Sequence, residues 1–143
     1  MGNFNSIQQI NFEDVQYSLK TNPIQQFIII STLQSTHSCF IQNTVPPEQE
    51  ETLINDIIQN KKMNQVSIII YGLNDCDETV INKHKQLQKY GFKSLYVYLG
   101  GMFEWMLLQD IYGQEHFPTT KKQLDILKYK PKSKLQLKLI TAF

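Results

Sequence analysis

Apolar positions along this chain come in two periods, and the period changes sharply at a few places. Val66-Ser67-Ile68-Ile69-Ile70-Tyr71 is a short, almost unbroken apolar run, and Phe27-Ile28-Ile29-Ile30 repeats it. Such runs are the pattern of strands covered on both faces. Leu95-Tyr96-Val97-Tyr98-Leu99 is a third, and Phe40 to Val45 reads as a short strand or extended stretch. Between these runs the apolar residues recur at threes and fours. Phe12, Val15 and Leu19 mark a helix that Asn11 can cap and Pro23 ends. Leu53, Ile54, Ile57 and Ile58 mark a second, opened by Pro46-Pro47 with Glu48, Glu50 and Glu51 at the positive end of its dipole. Val80, Ile81, His84, Leu87 and Tyr90 mark a third, stopped at Gly91 in the left-handed position. Gly100-Gly101 turns the chain into a fourth over Met102 to Tyr112, with Phe103, Met106, Leu107 and Ile111 predicted on one side. A turn at Phe117 to Thr120 and a short helix up to Lys130-Pro131 follow. Lys134 to Leu139 alternates strictly, the period of a half-buried strand.

Strands alternating with helices at this spacing predict an α/β domain with a mainly parallel sheet between helical layers. Open sheets of that kind place a ligand at the carboxyl end of a central strand. That singles out the loop after the 66–71 run: Gly72-Leu73-Asn74-Asp75-Cys76-Asp77-Glu78.

Composition narrows the chemistry. With 143 residues, 41% hydrophobic and 19% charged, the chain is globular and long enough to bury a core without disulfides. No apolar run reaches the roughly eighteen residues a membrane span needs. The first residues lack a secretory or transit layout. Two cysteines, Cys39 and Cys76, make no disulfide framework, so the expected setting is intracellular and reducing. All fourteen basic residues are lysine, so no forked guanidinium is present to grip phosphate or carboxylate bidentately. Charge is also segregated. Residues 120–143 hold seven lysines (Lys121, Lys122, Lys128, Lys130, Lys132, Lys134 and Lys138) against Asp125, while residues 1–119 hold seven lysines against twelve acids. An acidic body thus carries a basic tail. That acidity, with no arginine and no interleaved aromatics, argues against nucleic acid as a partner.

Several landmarks occur in a familiar order. The buried run at 66–71, its loop and helix, Gly91-Phe92, the strand at 95–99, Gly100-Gly101 and Trp105 resemble a rhodanese-like domain in a divergent eukaryotic form. The resemblance runs from about Asn11 to Thr120. It implies a three-layer domain with a mainly parallel five-stranded sheet flanked by helices over residues 1–120, and a lysine-rich extension over 121–143. In active relatives a nucleophilic cysteine follows the central strand, in a cradle of backbone amides with an arginine about five positions on. A thiolate needs such donors to be stabilised. Related cell-cycle phosphatases use a similar loop. Here the nucleophile position is Gly72 and the arginine position is Asp77. The resemblance therefore implies a chain without sulfurtransferase or phosphatase activity, without a cofactor, and used as a binding or structural subunit of a larger assembly. Acidic protein surfaces such as tubulin tails would suit its lysines, in an axonemal or other cytoskeletal complex, with a mitochondrial complex second.

Sharper readings compete with this one. Cys76 is the alternative nucleophile, but Asp75 and Asp77 flank it and disfavour a thiolate. Asp75, Asp77 and Glu78 can fill the anion position themselves by capping the next helix, or could hold a divalent ion; a module that senses anions in a silent pocket is a third option. His37, His84 and His116 lack the paired spacing of a metal site and read as surface or lightly packed residues. Cys39 reads as a small core residue, and Trp105 with Phe103, Tyr112 and Phe117 as core that could partly face a partner. Met1-Gly2-Asn3-Phe4-Asn5-Ser6 loosely fits an N-myristoylation signal but lacks basic residues behind it.

Overall fold

A computed structural model describes residues 7–21, 27–34 and 36–135. The strand predicted at 134–139, Lys138 and the segment around Gly2 lie wholly or mostly outside these residues. Four strands, β1 (Gln8–Ile10), β2 (Phe27–Ser31), β3 (Ser67–Tyr71) and β4 (Leu95–Tyr98), form the sheet in the order β1-β4-β3-β2. All three pairings are parallel. The helices are α1 (Phe12–Lys20), α2 (Pro47–Gln59), α3 (Thr79–Tyr90) and α4 (Gly101–Tyr112), with short 3-10 turns at Met63–Gln65 and Ile126–Tyr129.

Alternate residues of the same strands supply two separate cores, which is why the strands read as continuous apolar runs. On one face Ile29, Ile69, Tyr71 and Tyr98 meet Val15 of α1 and Met102, Trp105 and Met106 of α4. On the other, Ile30, Ile68, Ile70 and Val97 meet Ile54 and Ile57 of α2 and Val80 and Leu87 of α3. The sheet is thus sandwiched between helical layers, with β3 interior.

Local chemistry explains the element ends. Asn11 and Asp14 form a reciprocal capping box at the start of α1. Gly91 ends α3 in the left-handed conformation, φ 110°.

Four predictions need correction. Among the described residues the sheet has four strands where five were expected. Phe40 to Val45 does not form a ladder: Ile41 makes one antiparallel bridge with Thr119 and Thr44 one parallel bridge with Ile29, with Asn43 between them at φ 69°. That left-handed residue breaks the extended run. Conversely β1, with the polar sequence Gln8-Gln9-Ile10, was not anticipated; it is an edge strand with Gln8 and Gln9 exposed. In α4 the buried side is Met102, Trp105 and Met106, while Leu107 and Ile111 point outward at 41% and 69% exposure. The helix is apolar nearly all round, so spacing could not choose a face. His84 is buried at 2% exposure, on α3 beside Leu87, and not a surface residue.

Candidate functional site

The loop after β3 lies where α4 begins. Met102 N donates to Gly72 O at 2.9 Å and Phe103 N to Leu73 O at 2.8 Å, so the first amides of α4 find their acceptors in the loop. Gly101 permits this approach. It sits at φ +66°, and a β-carbon there would meet Gly72 O at 2.7 Å and Asn74 N at 3.0 Å.

Gly72 is itself buried, and its problem is space. A β-carbon would lie 2.5 Å from Asp77 Oδ2, 2.6 Å from Val80 Cγ2 and 2.8 Å from Thr32 Oγ1. The loop is closed around a residue without a side chain at the position where the resemblance calls for a nucleophile.

The Asp77 carboxylate occupies the inside of the turn. Its Oδ2 accepts from Leu73 N at 2.9 Å. Its Oδ1 accepts from Thr79 N at 3.1 Å and from the Thr79 hydroxyl, which also contacts Thr32 Oγ1 at 2.8 Å. Of the three acids proposed as a substitute anion, Asp77 alone does this work; Asp75 and Glu78 are exposed. Two further loop amides are engaged. Cys76 N donates to Asn74 Oδ1 at 2.9 Å and Asp77 N to Asn74 O at 3.2 Å. Cys76 is exposed on the outside of this turn.

Three side-chain contacts at and near the loop have no clear signal in the sequence. Asn74 is 6% exposed, and its Nδ2 donates to Tyr129 O at 2.8 Å, across 55 residues. The Asn-Asp-Cys string carries the signal of an Asx turn, but nothing in it names Tyr129. The Tyr71 hydroxyl, below the loop, accepts from Ile41 N at 3.1 Å and lies 2.8 Å from Thr44 Oγ1. Burial drives its phenol far above its ordinary value, so it stays a neutral hydroxyl. Tyr98 donates to Glu104 Oε1 at 2.5 Å, and burial, helped by that carboxylate, holds its proton in place.

The lysine-rich extension reaches the same loop at Tyr129. Tyr129 is 1% exposed and Ile126 partly buried against the α1–α4 core, so the described part of the extension packs onto the domain. Cys39, buried as expected, donates its thiol to Lys121 O at 3.2 Å. Lys121, Lys122, Lys128, Lys130, Lys132 and Lys134 are all exposed, and the described residues hold a single ion pair, Lys83 with Glu50. His37 stacks near Tyr129, ring centroids 5.7 Å apart. Trp105 and Phe117 are buried and meet edge-on at 5.0 Å, whereas Tyr112 is 61% exposed. Among the described residues no cluster of His, Cys, Asp or Glu could hold a metal ion, and no helix is long and apolar enough to cross a membrane.

No protein-family model matches the chain, and no curated protein matches it. Among solved structures, the Alr3790 protein from Anabaena sp. is similar in fold, with a TM-score of 0.56 at 18% identity, covering 83% of this chain and 97% of that one. At that identity the likeness speaks to the fold alone.

Proposed function

We propose that this chain is a catalytically inactive rhodanese-like domain serving as a binding or structural subunit of a larger protein assembly. One observation carries the reading: Gly72 has no room for a side chain because Asp77 fills the space and takes the amide of Leu73. A loop that bonds its own carboxylate has given two backbone donors, Leu73 N and Thr79 N, to itself. The exposed Cys76 stands between Asp75 and Asp77, the opposite of the cationic setting that activates a thiol. Six exposed lysines, none paired with a carboxylate among the described residues, support an acidic protein surface as the partner. A cytoskeletal polymer with acidic tails fits that description.

The test is enzymatic. Purified chain and its Cys76→Ala variant are incubated side by side with thiosulfate and cyanide. Thiocyanate formation at the uncatalysed rate in both supports the proposal. Turnover in the parent chain that is lost in the variant overturns it in favour of a sulfurtransferase using Cys76.

A further inference from the structure

Residues 121–135 are held to the domain at two points. Lys121 O accepts from the Cys39 thiol and, at 2.7 Å, from Thr119 Oγ1. Tyr129 O accepts from Asn74, whose other end caps the turn at Cys76. Between these points Ile126 faces the core, yet Leu124 is 84% and Leu127 62% exposed. Leu135 is 76% exposed further on. The segment also shares a cleft with the flank of α4, lined by Met106, Gln109, Asp110, Gln123, Leu124 and Ile126. Leu107 and Ile111 are exposed on the same helix. Most of the large apolar side chains exposed among the described residues therefore lie within 107–135, interleaved with six lysines and a single acid in the extension, Asp125.

We infer that residues 121–135, with the flank of α4 they meet at Asp110, form a pre-ordered docking surface for an acidic amphipathic segment of a partner protein. The inference rests on the binding-subunit reading and names the surface it uses. Lysines alone would suit any anion. Leucines fixed outward on a pinned segment call for an apolar counterpart, which a nucleic-acid backbone does not offer. Asp110 and Asp125 stand within the patch. A uniformly anionic bilayer meets both unfavourably, whereas a peptide can face them with polar side chains. The loop has a new use in this arrangement: Asn74 fastens the surface in place, so less ordering entropy is lost on binding.

Two fluorescein-labelled peptides of equal charge serve as probes, one with glutamate and leucine at amphipathic helical spacing, the other with serine replacing leucine. Anisotropy titrations of the full chain should show the leucine peptide binding at least about tenfold more tightly. That preference should disappear in Leu124→Asp/Leu127→Asp, and Lys128→Glu should weaken both peptides about threefold to tenfold. All the substituted side chains are exposed, so circular dichroism should be unchanged. Equal affinity for the two peptides overturns the inference. So does any one of three results sensitive to the leucine variant: pelleting with phosphatidylserine vesicles, a concentration-dependent dimer in sedimentation, or tighter binding of a synthetic peptide of residues 136–143. Thiosulfate turnover through Cys76 would instead overturn the underlying reading, whatever the peptides do.

Discussion

A β-carbon on Gly72 would lie 2.5 Å from the Oδ2 of Asp77, the oxygen that accepts the amide of Leu73. Each of the two residues occupies what the other's alternative would need. A side chain at 72 displaces the carboxylate, and the carboxylate uses the donor that an external anion would require.

Gly72→Ala is therefore expected to cost about 1–3 kcal/mol, the usual range for overpacking, read from the urea midpoint at constant slope. Asp77→Ala removes an acceptor for three donors and should cost a similar ~1–3 kcal/mol. The double variant should be less destabilised than the two losses added together, by ~0.5–3 kcal/mol, because the carboxylate half of the clash is gone. Strict additivity would show that the two residues do not compete for the space.

The two thiols should separate cleanly by reactivity. Cys76 is exposed and Cys39 is 1% exposed with its thiol bonded to Lys121 O. A disulfide reagent that liberates a coloured thiolate should titrate one group in the native chain and two in guanidinium. Cys76→Ala should abolish the native reaction and Cys39→Ser should not.

Tyr71→Phe leaves Ile41 N buried without its acceptor, since the phenol oxygen takes that bond at 3.1 Å. A loss of about 1–3 kcal/mol is expected from chemical denaturation, although the substitution removes only one oxygen atom.

Stability should fall on mild acidification. Burial holds the His84 imidazole below its ordinary value of 6.5, and burial followed by the Lys128 charge does the same to His37. The folded chain therefore resists protons that the unfolded chain takes up. Well above 6.5 neither group contributes pH dependence; as pH drops through 6.5, stability is lost until the lowered folded values are passed. The urea midpoint should decrease between about pH 7.5 and pH 5.5, and the slope should flatten in the His37→Asn/His84→Asn double variant.

The parts legible in the sequence are those decided by local pattern. The three apolar runs are strands because β-branched residues on both faces suit a covered sheet, and the positions of α1, α2 and α3 followed from caps, Pro46-Pro47 and Gly91. Gly72 and Asp77 could be singled out in the sequence only through the rhodanese-like resemblance, which implies a nucleophile at one position and a cation at the other. Position along a chain does not reveal which contacts between distant residues win. Which face of α4 turns inward was decided by the packing of Met102, Trp105 and Met106 into the core. The chain's local pattern does not mark the burial of His84 either, while β1 came from pairing with β4 despite its polar sequence. The bond from Asn74 to Tyr129, 55 residues away, has no local signature at all. Strand and helix periods are written residue by residue because neighbours share the same backbone geometry. The closure of the loop and the anchoring of the basic extension depend on atoms that only folding brings within hydrogen-bond distance.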